Sequence, residues 1–179
     1  MSRIAFPAPE SATGAAAEIY ARIRKNTGGK LPNLFATLGH VAPQALSAIL
    51  DAEDVLAASS LSRQDRETIK LLVSAQTGCD YCVAAHSLMG RLAGLPAEAL
   101  GAIRAGEPTG DARRDALARF VLKIVNTRGT LAEEEVAAVR AAGYTDTQLA
   151  EISLAISLIT FTNTVNRIND TELDFPPVK

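Results

Sequence analysis

Residues 61–95 read "LSRQDRETIKLLVSAQTGCDYCVAAHSLMGRLAGL", two helical patterns that meet at a glycine. Ser62 with Asp65 three residues later is a capping-box-like start for the first. Gly78 falls just beyond its end, where a helix cap favours glycine. The second pattern runs from about 79 to 93 and stops at Gly94.

The same grammar continues on both sides. Helices are expected near 10–25, 33–39, 43–58, 96–105, 112–127, 132–142 and 146–168, with Gly106, Gly129 and Gly143 between the later ones. Ala and Leu dominate, and β-branched runs of alternating polarity are hard to find. No repeat, linker or composition shift marks a second domain. The expectation is one all-α, single-domain helical bundle over 1–179, of about eight helices. With aromatics at 4%, the core must be Ala, Leu, Ile and Val, which leaves each helix pair with modest buried area. Burial between subunits is a natural supplement.

Eighteen Lys and Arg against 20 Asp and Glu give a net charge of −2, with no polybasic arm, so neither nucleic acid nor anionic lipid is an expected partner. The opening "MSRIAFPAPESATG" lacks the apolar run of a secretory signal. The most apolar stretch, "ISLAISLITFTNTV" (152–165), is core-helix length and dotted with Ser, Thr and Asn, so no membrane span is expected. A cytoplasmic location follows. A lone cysteine pair there serves redox chemistry or a metal more often than a structural staple.

Both cysteines of the chain, Cys79 and Cys82, lie in "TGCDYCVAAH" (77–86) with His86 behind them. On a helix turning about 100° per residue, these three side chains share an arc of about 60°. Thiols at i and i+3 can close a disulfide, and the first helical turn favours a thiolate. A closed zinc site needs four ligands, and beyond this stretch only His40 and carboxylates remain to complete one. The spacing therefore favours a redox pair, with a metal clip and inert packing as the alternatives. A thioredoxin-like setting would require a βαβ neighbourhood, which is missing.

Glu67 extends the pattern to Glu-x11-Cys-x2-Cys-x3-His, and Leu71 and Ala75 on its side of the helix imply partial burial of the carboxylate. With this spacing, residues 61–95 closely resemble the core of the alkylhydroperoxidase AhpD-like group of the carboxymuconolactone decarboxylase superfamily. The resemblance extends more weakly to "LPNLFATLGHVAPQALSAIL" (31–50) and "NTVNRINDTELDFP" (163–176). It implies an all-helical subunit in a homo-oligomer, a trimer or hexamer. It also implies peroxidase (peroxiredoxin) activity on hydrogen or organic hydroperoxides, with no bound cofactor and no metal. The electrons would come from an external dithiol or a disulfide-reducing protein. Carried over by position, Cys79 and Cys82 are the redox thiols, and Glu67 and His86 the proton relay. Tyr81 stands where some members have a second histidine, and a phenol with a reference pKa near 10 is a poor substitute for that base.

His86 at i+4 favours Cys82 as the attacking thiolate and Cys79 as its resolving partner. Two other functions remain open: a non-catalytic redox sensor, and a decarboxylase or isomerase of the superfamily with Glu67 or His86 as base. Asn163, Asn166 and Arg167 read as an exposed polar helix end, and His40 as a turn residue.

Overall fold

The computed structural model describes residues 2–178 and contains, among them, nine α-helices and no strand. They are α1 (Gly14–Asn26), α2 (Asn33–Val41), α3 (Pro43–Ala57), α4 (Arg63–Thr77), α5 (Asp80–Leu92), α6 (Ala97–Ala105), α7 (Ala112–Thr127), α8 (Glu133–Ala141) and α9 (Asp146–Asn169). The all-α expectation holds. The first helix starts later than expected because Pro9–Ser11 forms a separate 3-10 turn, Thr13 is extended and Gly14 takes φ +58°. His40 lies in the last turn of α2, exposed, rather than in a turn.

Helix α4 is the axis of the fold, packing against α5, α6, α7 and α9. Its "TIKLLVS" run (68–74) is buried along its whole length, and neighbours cover it on nearly every side. The capping box is formed: Ser62 Oγ accepts from the Asp65 N–H, and Asp65 accepts back from the Ser62 N–H. The same buried carboxylate accepts from the Tyr144 hydroxyl (2.9 Å) and pairs with Arg113 (3.0 Å), whose guanidinium stacks over the Tyr144 ring. The start of α4 is thereby tied to α7 and to the approach to α9.

The two ends of the chain close over the far end of α9 and the start of α2. The Arg3 guanidinium donates to the last carbonyls of α9, those of Arg167 (3.2 Å) and Ile168 (3.0 Å). The tail is irregular, as expected, but anchored, because Asp174 accepts from the Asn33 N–H (2.8 Å) at the start of α2. Among the described residues, no helix is long and apolar enough to cross a membrane.

Gly39 is required by close packing. A Cβ there would lie 2.3 Å from Tyr20 Cε1, on a ring that is itself buried and held by its hydroxyl donating to the Ala36 carbonyl (2.6 Å). Overpacking costs about 1–3 kcal/mol and removing a helical glycine returns about 1 kcal/mol. Gly39→Ala is therefore expected to lower Tm by roughly 2–6 °C in a thermal melt.

Candidate active site

Gly78 ends α4 in the left-handed conformation (φ +65°), where glycine carries no Cβ penalty, and this turns the chain sharply into α5. Cys79 is the N-cap of α5, with extended backbone (φ −96°, ψ 90°), and Cys82 is in the first helical turn. Both are free thiols and both are buried. The Cys79 sulfur accepts from the Cys82 S–H, and makes no side-chain cap hydrogen bond to the helix.

This contact separates the two sulfurs electrostatically. The hydrogen bond from the Cys82 thiol is the largest influence on Cys79, and the Cys82 N–H and the Arg167 charge add to it. Together they outweigh burial and Asp80 and hold the Cys79 thiol below its ordinary range. The same bond, with burial and the negative charge on Cys79, pushes Cys82 far up, although Asn166 and Thr162 partly oppose this. The order inferred from His86, with Cys82 deprotonated first, does not fit these surroundings. Cys79 is the N-cap and lies outside the first helical turn, so a regular helical spacing misplaces it relative to Cys82 and His86.

Glu67 and His86 form a second pair, Nδ1 to Oε2 at 2.8 Å, between α4 and α5. Burial pushes the Glu67 pKa up, but the charge and hydrogen bond of His86, with Lys70 and Arg63, more than offset it and leave the carboxyl below its ordinary value. The i+3 neighbour Lys70 forms its own ion pair with Glu53. Among the described residues no hydrogen bond joins His86 to either sulfur. The structure thus builds two adjacent pairs, Cys79 with Cys82 and Glu67 with His86, linked by the one turn of α5 that separates Cys82 from His86. No three His, Cys, Asp or Glu side chains among the described residues are grouped to hold a metal ion.

Tyr81 faces away from the relay. Its hydroxyl accepts from the Leu34 N–H (3.3 Å), and its ring meets Phe175 edge-on at 5.3 Å. Burial holds this phenol protonated, so it clasps the tail to α2 and offers no base.

The polar end of α9 is not exposed as expected. Asn163, Asn166 and Asn169 are buried, and Asn166 Nδ2 donates to Cys82 Sγ (3.1 Å). Asn163 ties α9 to α4, donating to Thr77 Oγ1 (2.9 Å) and accepting from the Ser74 hydroxyl (3.2 Å). Arg167 is exposed, as read. The asparagines had a signal in the sequence. They continue, at three- and four-residue steps, the buried stripe of Ile152, Ala155 and Ile159.

A helix-start dithiol and, one turn on, a carboxylate–imidazole pair thus stand on an α-helical bundle. The carboxymuconolactone decarboxylase family model matches residues 43–123. A peroxidase-related protein of Ralstonia eutropha JMP134, described as an alkylhydroperoxidase AhpD core, superposes with a TM-score of 0.86 at 22% identity, over 97% of this chain and 92% of that one. A peroxidase-related protein from Silicibacter sp. TM1040 gives 0.75 at 23% identity, over 94% and 87%. The debrominase Bmp8, bound to 2,3,4-tribromopyrrole, gives 0.78 at 17% identity, over 97% and 92%. The Bacillus subtilis protein YdfG is 36% identical over 47 residues, a stretch that spans 26% of this chain and only 32% of that relative's length. The chain has the AhpD-like fold, and its residues 43–123 match the carboxymuconolactone decarboxylase family model. One fold shared by peroxidase-related proteins and a debrominase does not by itself fix the reaction.

Proposed function

We propose that the protein is a thiol peroxidase that reduces hydroperoxides through a Cys79–Cys82 dithiol/disulfide cycle. The observation that carries this reading is the pair of buried free thiols at the start of α5, Cys79 at its N-cap and Cys82 in its first turn.

The Cys79 thiolate attacks the terminal peroxide oxygen. The O–O bond breaks, Cys79 becomes a sulfenic acid, and the alkoxide leaves as the alcohol with a proton delivered through His86. Glu67 holds His86 Nδ1, which leaves Nε2 free to exchange protons, by way of water where it does not touch the sulfur. Cys82 then gives its proton to His86 and attacks the Cys79 sulfur. The S–S bond forms as hydroxide departs and is protonated to water. Two electrons pass from the dithiol to the peroxide, and an external dithiol or disulfide-reducing protein returns them by thiol–disulfide exchange, so no bound cofactor is needed. The exposed apolar residues Val41, Val55 and Leu92 support assembly into a trimer or hexamer.

The test is a free-thiol titration on the reduced protein before and after one equivalent of an organic hydroperoxide. Both thiols should disappear, and turnover with added dithiol should far exceed one product per subunit. Product that stops at one equivalent would make the pair a sensor. Activity toward a lactone acid that survives alkylation of both thiols would place the chemistry with the superfamily's decarboxylases.

A further inference from the structure

Between the end of α4 and the last turns of α9 the surface opens into a pocket of about 300 Å³, lined by Thr77, Asn163, Thr164, Arg167 and Ile168. Nearly all of its polar wall is already in use. Asn163 is bonded at both ends of its amide. The Thr77 and Thr164 hydroxyls donate to the carbonyls of Val73 and Thr160, one turn back. Arg167 differs. Arg22, Arg24, Arg113 and Arg140 each hold a carboxylate, whereas the Arg167 guanidinium has no ion pair or side-chain hydrogen bond among the described residues. Next to it Ile168, 63% exposed, supplies an apolar flank.

The chain itself sets this cation near the thiol pair. Thr77 lies two residues before Cys79, and Asn166, adjacent to Arg167 on α9, donates to Cys82. The Arg167 charge is the smallest of the influences on the Cys79 sulfur, and it favours the thiolate. A pocket at the low end of the size range for small-molecule sites, with one convergent cation and an apolar side, fits a small amphipathic anion. Guanidinium matches a carboxylate in a planar, two-point fork.

We propose that this pocket receives a carboxylate carried by the molecule that meets Cys79, with Arg167 holding the carboxylate and Ile168 flanking the apolar body attached to it. The identity of that molecule, a carboxylated hydroperoxide or a carboxylated thiol reductant, rests on the peroxidase reading. The anion site does not.

Alkylation of the reduced, full-length protein separates the two. Iodoacetate and iodoacetamide are close in size and react alike: the thiolate attacks carbon, a C–S bond forms and iodide leaves. They differ in presenting a carboxylate or an amide to the pocket. The iodoacetate-to-iodoacetamide rate ratio at Cys79 should exceed that of the unfolded chain severalfold and shrink as salt screens the cation. In Arg167→Gln it should fall about tenfold, the loss of roughly 1.4 kcal/mol of selective attraction, while Arg167→Lys keeps part of it. Both reagents need the same thiolate, so a changed Cys79 pKa cancels in the ratio. A ratio unmoved by Arg167→Gln, or no reaction of Cys79 with either reagent, overturns the site even if peroxidase activity is present.

Two substrate pairs then identify the occupant: an aryl hydroperoxide with and without a ring carboxylate, and a dithiol with and without one. The pair whose acidic member shows a raised KM in Arg167→Gln names the half-reaction served. If neither pair responds, the assignment to substrate or reductant is overturned, whatever the alkylation ratio.

Discussion

Cys79→Ser is expected to lose at least about a thousandfold in hydroperoxide turnover, as removal of an attacking nucleophile does elsewhere. It should also lose the first, single-equivalent reaction with peroxide. Cys82→Ser should fail equally in steady-state turnover but keep that first reaction. Its Cys79 becomes a sulfenic acid with no thiol to resolve it, which a sulfenic-acid-selective carbon nucleophile traps on the residue 79 peptide. The asymmetry follows from the start of α5, where the Cys82 S–H is the donor and the Cys79 sulfur the acceptor. The pH dependence has a definite sign. The Cys79 alkylation rate should reach half its maximum below the ordinary thiol range of about 8.5. In Cys82→Ala, which removes the S–H donor that stabilises the thiolate, that midpoint should move up. Trapping at residue 82 in Cys79→Ser, with none at residue 79 in Cys82→Ser, would reverse the assigned roles.

The difference between that assignment and the one reached from sequence has a local cause. The helical pattern, the Ser62–Asp65 box and the Gly78 stop were legible because each is a short-range preference expressed within a few residues. They placed α4 and α5 closely enough to name Glu67, Cys79, Cys82 and His86. The cap itself was harder to see. A one-residue shift in the start of α5 decides whether Cys79 lies within the first helical turn or just outside it, and such boundaries are the least determined feature of a sequence pattern. The surroundings of Cys82 were hidden for another reason. Asn166 and Thr162 come from α9, some 80 residues away, and Tyr81 is engaged by a tail that returns over more than 90. Polarity alone put the asparagines outside, although their spacing continued the buried stripe. Where composition and periodicity disagreed, periodicity was the better guide, because a buried amide is tolerated once it is hydrogen-bonded.

His86→Gln is the second large effect. General acid–base catalysis contributes about 10²–10⁴-fold, and kcat for hydroperoxide turnover should fall by roughly a hundredfold or more. Glu67→Gln acts through the imidazole it orients and should cost about tenfold, and the double variant should be no slower than His86→Gln alone, since the pair works as a unit. A purely structural role would lower stability without this non-additivity in rate. The pair also carries a stability signature whose sign is fixed. Burial favours the neutral Glu67, the His86 bond outweighs it, and the folded carboxyl sits below its unfolded value. Its contribution is then fully present above the unfolded carboxylate pKa, near 4.3, and is lost as pH falls through the lower folded one. Urea unfolding should find Glu67→Gln less stable than the parent by about 1–2 kcal/mol at pH 7, with the gap closing toward pH 3. A gap that widens in acid would mean that burial, and not His86, governs Glu67. The carboxylate would then be no support for a proton passing between His86 and Cys82.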